Sequence, residues 1–231
     1  DPVHAARAID NLLDNAVRHT PRGGRVTLAA LRDQAAAAGI WLLVGSLGVL
    51  TTDVDGRFAN RSFLIGPTGD IAARYDKIHM FDVNVSETEV YRESAGYRPG
   101  TKAVLADTAL AKIGMTVCYD VRFPHLYRRL AKAGAQIITV PAAFNHITGA
   151  AHWETLLRAR AIENQCYLLA VGQGGQHENG RMTHGNSMIV DPWGEILDRK
   201  VKGPGVVIAD LDHARIAEIR ESLPALAHRI L

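Results

Sequence analysis

The chain has 231 residues, of which 47% are hydrophobic and 22% charged, which is typical of a globular protein with one domain or two small ones. Its 26 basic and 24 acidic residues give a formal net charge of +2, so we expect no nucleic-acid partner. No apolar run approaches the roughly 18–20 residues of a membrane-spanning helix, and the first residues lack the pattern of a signal peptide. Two cysteines are too few for a disulfide scaffold. We therefore expect no membrane association and a location in the reducing cytoplasm.

In the first part of the chain, apolar spacing and turn residues predict two helices, a buried strand and a hairpin. In chain order these are a helix over 5–20, a helix over 29–38 ended by Gly39, a buried strand over 40–45, and a hairpin of strands 57–65 and 70–75. The residues Gly66-Pro67-Thr68-Gly69 form the predicted hairpin turn. The polar segment 76–98 that follows predicts irregular structure.

The second part of the chain shows a similar alternation of apolar runs and turn residues. The predicted elements are a strand over 110–117, a helix over 124–133, a strand over 135–140, a helix over 151–164, a buried strand over 166–172, a hairpin of strands 187–190 and 195–199, and a helix over 212–222. The first three form a strand–helix–strand unit, whose two strands we expect to be parallel.

The chain half-repeats itself at an offset of about 125 residues. The buried strand 40–45 corresponds to 166–172, and the hairpin that starts at Ser62 corresponds to the one that starts at Ser187. The repeat predicts two similar layers packed face to face, whereas the alternative is a chance similarity of common hairpin turns. The segment 137–144, a buried strand that runs into a loop, has no counterpart in the first half, where the spacing is helical instead.

Cys118 lies at the carboxyl end of a predicted buried strand, a few residues before a helix. Ligand sites of open α/β sheets gather at this edge, and a helix start favours a thiolate. From its position alone, Cys118 is either a nucleophile or a buried structural cysteine. Cys166 lies inside an apolar strand without charged neighbours, which indicates a core residue.

Five long motifs follow one another along the chain. They are Ala73–Val83; Tyr91–Ser94 before Arg98-Pro99-Gly100; Cys118–Pro124; Gly149–Glu154 with Arg158–Asn164; and Ser187–Glu195. In their order and extent, these motifs resemble the nitrilase-like carbon–nitrogen hydrolases. The resemblance covers residues 31–231 and is greatest to the amidase branch that contains deaminated-glutathione amidase and omega-amidase.

The resemblance implies an α/β fold, an αββα sandwich of the nitrilase-like type, and a catalytic set of glutamate, lysine and cysteine. Cys118 is then the nucleophile that forms a thioester with an amide carbonyl. Lys77 is the cation beside the oxyanion, the backbone N–H of Tyr119 completes the oxyanion site, and Glu93 orients Lys77 or a reacting water. The alternative for Lys77 and Glu93 is an ordinary surface pair in a polar segment.

The same resemblance predicts the substrate side. Asn145, His146 and Thr148 follow a predicted strand at the edge where substrate would lie, and Arg122 is placed to pair with a substrate carboxylate. The implied function is hydrolysis of a small carboxylate-bearing amide, without cofactor or metal, by a homodimer.

One departure from the family concerns its general base, a glutamate in an early Pro-Glu motif, because this sequence has no glutamate before Glu87. Residues 1–28 instead resemble the N box of histidine-kinase ATP-binding domains, with Asn15 in the position that helps bind magnesium–ATP. The glycine-rich boxes of such a site are missing from the sequence, so we expect no ATP binding. We therefore predict a kinase-like helical fragment over 1–28 and, over 29–231, a hydrolase domain that lacks its first strands. The alternative function is a catalytically inactive remnant that binds ligands or partners.

Overall fold

A computed structural model describes residues 28–52, 55–87, 89–178 and 180–228. The predicted helix over 5–20 and nearly all of the predicted kinase-like fragment lie outside these residues. Contacts divide the chain into two compact units, Asp1–Val44 with Phe63–Arg74, and Gly45–Ser62 with Tyr75–Leu231. No helix within the described ranges is both long enough and apolar enough to cross a membrane.

The first described elements are one helix and three strands. They are α1 (Leu28–Ala38), β1 (Leu42–Leu50), β2 (Phe58–Ile65) and β3 (Ile71–Asp76). Gly39 has a φ of 63°, and this left-handed conformation, which glycine adopts without strain, ends α1 as predicted. The predicted hairpin is also confirmed: the N–H of Gly66 donates to the carbonyl of Asp70 at 2.9 Å, and Gly69 has a φ of 80°.

The predicted irregular segment 76–98 contains regular structure, so that prediction is wrong in part. Its elements are β4 (Asp82–Asn84), β5 (Val90–Arg92), α2 (Glu93–Gly96) and β6 (Tyr97–Arg98). Strands β4 and β5 pair with each other, and β6 pairs in parallel with the start of β2. Strands β1, β2 and β3 lie in that order, so β6 makes this a four-stranded sheet. These short strands are polar and pair over only two or three residues, which leaves no periodic pattern in the sequence.

A six-stranded sheet dominates the second unit. Its strands are β7 (Val104–Asp107), β8 (Lys112–Met115), β9 (Ile137–Ala142), β10 (Tyr167–Gly172), β13 (Ser187–Val190) and β14 (Ile196–Lys200). The order across the sheet is β14-β13-β10-β9-β8-β7. The three middle strands, β8, β9 and β10, are parallel, and the outer ones are antiparallel. The predicted parallel strand–helix–strand unit is therefore confirmed.

The second unit is completed by three longer helices and a small hairpin. These are α3 (Pro124–Lys132), α4 (His146–Asn164), β11 (Gly174–Gln176), β12 (Met182–His184) and α5 (His213–Ser222). Helix α4 begins five residues earlier than predicted, because the side chain of Asn145 accepts a hydrogen bond from the N–H of Thr148 and caps the helix. Trp153 of α4 is fully buried, and its indole N–H donates to the carbonyl of Asn186 at 2.8 Å.

The succession predicted from the internal repeat is present in both halves. Helix α1, strand β1 and the hairpin β2–β3 correspond to α4, β10 and the hairpin β13–β14. The two turns are built alike, because Gly69 and Gly194 both have positive φ and both donate to a carbonyl three residues earlier.

Candidate active site

A cavity of about 570 Å³ opens beyond the carboxyl ends of β8 and β9. Its lining includes Lys77, Glu93, Cys118, Tyr119 and Asn145, all within the second unit. The structure thus brings together the three predicted catalytic side chains, which are separated by up to 41 positions in the sequence. Parallel strands end at one edge of a sheet, and this is the edge at which α/β proteins form their sites.

Lys77 and Glu93 form a buried ion pair rather than a surface pair. Lys77 directly follows β3 and is 2% exposed, and its Nζ contacts Oε2 of Glu93. The Glu93 carboxylate also accepts hydrogen bonds from Nδ2 of Asn60 at 3.1 Å and from the N–H of Phe81 at 2.6 Å. These contacts hold the carboxylate from three sides, so the ammonium group of Lys77 has a fixed position at the cavity wall.

Cys118 begins a 3₁₀ turn, Cys118–Arg122, that follows β8. Its φ is 50°, in the left-handed region that residues with a side chain rarely adopt. Such strained conformations cluster at functional sites, where the surrounding structure maintains them. Strand β8 ends at Met115, two residues before the predicted end, and the 3₁₀ turn begins three residues later.

Burial and neighbouring charges shift the pKa of the Cys118 thiol in opposite directions. Burial raises the pKa of Cys118, the positive charge of Lys77 lowers it, and the negative charge of Glu93 raises it. The net result is a pKa above the ordinary value of a cysteine, so the thiol is protonated at neutral pH. In the part of the chain that the structure describes, no carboxylate is hydrogen-bonded to Sγ of Cys118.

Arg181 is a cavity residue that the sequence analysis missed. It lines the cavity, donates a hydrogen bond to the carbonyl of Ala143 at 2.6 Å, and lies 5.5 Å from the centre of the Tyr91 ring. Its positive charge acts on the Cys118 thiol. The available signal was weak: Arg181 is the single lysine or arginine between Arg160 and Arg199 in the sequence.

Tyr119 and Asn145 line the cavity as predicted, but the side chain of Asn145 has other partners. Besides capping α4, Asn145 donates from Nδ2 to Oε2 of Glu89 at 2.8 Å and to the hydroxyl of Tyr91 at 3.3 Å. Asn145 is only 3% exposed. Its amide therefore connects the β4–β5 hairpin to the start of α4 and shapes the cavity wall.

His146, Thr148 and Arg122 do not line the cavity. His146 and Thr148 lie in the first turn of α4, where His146 is exposed. The Arg122 guanidinium lies 5.1 Å from the centre of the Phe144 ring, which is part of the lining, and within 3.3 Å of Nδ1 of His152. It also lies 5.8 Å from the centre of the Tyr119 ring, so Arg122 contacts two aromatic residues of the lining without belonging to it.

Neither the cavity nor the rest of the described chain offers a metal site. No group of three or more His, Cys, Asp or Glu side chains is placed to hold an ion within residues 28–52, 55–87, 89–178 and 180–228.

The family model for carbon–nitrogen hydrolases matches residues 8–221 of this sequence. The chain belongs to the carbon–nitrogen hydrolase family. This match confirms the predicted enzyme class. It begins at residue 8, whereas the resemblance seen in the motifs begins at residue 31.

Several relatives of this carbon–nitrogen hydrolase are named deaminated glutathione amidase. The deaminated glutathione amidase of Yersinia enterocolitica is 44% identical over 199 residues, which are 86% of this chain and 70% of that protein. The human protein of the same name is 41% identical over 212 residues, which are 90% of this chain and 64% of that protein.

Solved structures confirm the predicted nitrilase-like α/β fold. The Caenorhabditis elegans NitFhit protein has a TM-score of 0.83 at 38% identity over 88% of this chain, and this chain spans half its length. Saccharomyces cerevisiae Nit3, a member of the nitrilase superfamily, has a TM-score of 0.80 at 29% identity over 92% of this chain and 74% of its own. A glutamate-to-glutamine mutant of an amidase from Nesterenkonia has a TM-score of 0.69 at 28% identity over 85% of this chain and 72% of its own. Its structure shows covalent addition of the acetamide moiety of fluoroacetamide at the active-site cysteine.

Proposed function

We propose that this carbon–nitrogen hydrolase cleaves the amide bond of a small carboxylate-bearing amide through a thioester on Cys118. The observation that carries the proposal is the shared cavity, in which the buried ammonium group of Lys77 and the thiol of Cys118 line the same space. Acyl transfer requires a nucleophile and a fixed positive charge beside the oxygen that becomes negative. The names of the relatives and the covalent adduct on the Nesterenkonia cysteine support the same chemistry.

In the proposed reaction, Sγ of Cys118 attacks the amide carbonyl carbon and the carbonyl oxygen becomes an oxyanion. Lys77 and the backbone N–H of Tyr119 stabilise this charge. The C–N bond then breaks, and the leaving nitrogen takes the proton that the thiol lost. Water attacks the resulting thioester, releases the carboxylic acid and returns a proton to the thiol. Glu93 keeps Lys77 in place through both steps.

The carboxylate specificity is supported by the arginine at the cavity wall. Arg181 adds a positive charge to a lining that already holds the ion pair of Lys77 and Glu93. A charged hydrogen bond to a substrate carboxylate contributes about 1.5–3 kcal/mol. Arg122 is a second candidate, because its guanidinium lies against two aromatic residues of the lining, Tyr119 and Phe144.

Replacing Arg181 with glutamine is expected to raise KM for a dicarboxylic acid monoamide, such as glutaramate, about 10–100-fold. The KM for a neutral amide of the same length is expected to stay within about twofold, because it has no charge to lose. Steady-state kinetics with the two substrates measures the difference. Arg158→Gln is the control, since Arg158 donates to the carbonyl of Gly194 at 2.8 Å and lies outside the cavity lining. An equal rise in KM for both substrates would contradict carboxylate recognition by Arg181.

The covalent intermediate provides the direct test of the function. The enzyme is mixed with a panel of monoamides, quenched in acid within seconds, and examined by intact-mass and peptide mass spectrometry. We expect an acyl adduct on the peptide that contains Cys118, together with release of ammonia. Enzyme whose thiols were first alkylated with iodoacetamide serves as the control and is expected to show neither.

A second candidate function, binding without turnover, is favoured by one observation. No carboxylate hydrogen-bonds to Sγ of Cys118 within the described residues, and general-base assistance is worth about 10²–10⁴-fold in rate. This candidate predicts calorimetric binding of the monoamides without an adduct and without ammonia over hours. The adduct experiment therefore separates the two functions.

We also propose that the enzyme acts in the cytoplasm as a homodimer. Neither Cys118 nor Cys166 forms a disulfide in the described residues, and free cysteines are typical of a reducing compartment. Sedimentation of the purified protein, with a dimer mass expected against 25.1 kDa for one chain, tests the oligomeric state.

A further inference from the structure

The most densely hydrogen-bonded carboxylate near the cavity is that of Asp120, which is 0% exposed. Its Oδ2 accepts from the hydroxyl of Tyr75 at 2.7 Å and from the N–H of Val117 at 2.9 Å. Its Oδ1 accepts from the N–H of His79 at 3.1 Å and from Nδ1 of the same residue at 2.7 Å. Burial and the charge of Asp120 raise the pKa of Tyr75, so this hydroxyl remains a donor.

These donors come from two segments, each of which carries a catalytic side chain. Tyr75 and His79 lie two residues before and two residues after Lys77. Val117 immediately precedes Cys118, and Asp120 follows Cys118 by two positions. One carboxylate therefore joins the segment of Lys77 to the turn of Cys118. The His79 ring is itself fixed, because it stacks on Phe123 of the Cys118 segment with 3.7 Å between ring centres.

We propose that Asp120 is a positioning residue that sets the separation between Nζ of Lys77 and Sγ of Cys118. The inference rests on the proposed function, in which these two groups act on the same carbonyl. Each carboxylate oxygen of Asp120 accepts from two donors. In an asparagine, an NH₂ group would replace one of these oxygens and would face two donors without accepting from either. The left-handed conformation of Cys118, with its φ of 50°, also depends on the bond from Val117 to Asp120 that closes the turn.

The reactivity of Cys118 separates positioning from a simple charge effect. The charges of Lys77, Glu93 and Arg181 act on the Cys118 thiol, and the guanidinium of Arg122 interacts with it electrostatically as well. Removal of the Asp120 charge alone would make the thiolate easier to form, so Cys118 would react at lower pH. Displacement of Lys77 has the opposite effect, because the thiolate loses its nearest positive charge. The sign of the change therefore tells which effect operates.

The test compares Asp120→Asn with the unaltered enzyme. We expect the pH midpoint for alkylation of Cys118 by iodoacetamide to move upward. We also expect kcat for a monoamide to fall about 10²-fold, with KM within about threefold, because misplacement by about 1 Å costs this much in rate. An unchanged or lowered midpoint, or a loss confined to KM, would overturn the proposal.

Asp191→Asn is the matched control, because Asp191 is also a buried aspartate that accepts backbone hydrogen bonds. It is 3% exposed and accepts from the N–H groups of Trp193 at 2.9 Å and Glu195 at 2.7 Å, in a turn outside the cavity lining. Its replacement is expected to lower Tm but to leave the alkylation midpoint and kcat unchanged. A fall in kcat equal to that of Asp120→Asn would show that the effect of Asp120 is only one of stability, and would overturn the proposal.

Tyr75→Phe covers the case in which Asp120→Asn does not fold, because it removes a single hydrogen bond to the carboxylate. We expect the same upward shift of the alkylation midpoint, smaller in size, and a several-fold fall in kcat. Lack of any shift in this folded variant counts against the proposal. If the unaltered enzyme forms no product, the proposed function fails, but an upward shift of the alkylation midpoint still supports positioning by Asp120.

Discussion

Replacement of Cys118 by alanine is expected to lower kcat for amide hydrolysis by a factor on the order of 10⁵ or more. Both chemical steps pass through the sulfur of Cys118, so its loss leaves no covalent route. Binding of the amide is expected to persist, because Cys118 contributes only part of a lining that includes Arg181 and Tyr91. Ammonia release measures the loss of turnover, and calorimetry measures the remaining affinity.

The chain offers its own control for this experiment in Cys166. That thiol is 0% exposed and has two carbonyl acceptors for its single proton, those of Ala135 at 3.2 Å and Asn164 at 3.0 Å. It does not line the cavity. Cys166→Ala is therefore expected to reduce stability by about 1–3 kcal/mol, from lost packing and the lost hydrogen bond, and to leave kcat unchanged. Hydrolysis by Cys118→Ala at more than a few per cent of the normal rate would contradict the thioester mechanism.

The sequence predicted those parts of the fold that are governed by neighbouring residues. The end of α1 at Gly39 and the turn at Gly66–Gly69 follow from glycine conformation, which is a local property. The parallel arrangement of β8 and β9 follows from a strand–helix–strand connection of ordinary length. Each of these predictions is confirmed because no distant residue is needed to decide it.

The remaining features depend on contacts between distant segments. The amide N–H group of Asn145 donates to Glu89 and Tyr91, which lie more than 50 positions earlier, so the sequence around Asn145 does not indicate these partners. Arg181 lies 63 positions after Cys118, and nothing in its local sequence indicates that it reaches the cavity. Asp120 is part of a recognised motif, but its four donors come from two segments that no periodicity connects.

The three predicted catalytic residues could be identified from the sequence in part. Lys77, Glu93 and Cys118 were predicted from motifs, and the structure places all three at one cavity. What the motifs do not contain is the degree of burial: Lys77 is 2% exposed, which excludes the alternative of a surface ion pair. This burial makes the pair important for both stability and catalysis, and the two contributions have to be separated by experiment.

Replacement of Lys77 by methionine is expected to lower kcat about 10³-fold, because the oxyanion loses a fixed positive charge while the substrate cavity remains. The same change leaves the carboxylate of Glu93 without its cation, and breaking a buried ion pair from one side costs about 3–5 kcal/mol of stability. The double variant Lys77→Met with Glu93→Gln removes both charges at similar volume, so we expect it to recover most of the lost Tm. Its kcat is expected to stay low, because stability returns without the charge at the oxyanion.

Thermal unfolding and steady-state kinetics on the single and double variants measure the two effects. Recovery of kcat in the double variant would show that Lys77 serves only to neutralise Glu93, and the proposed role at the oxyanion would then be wrong.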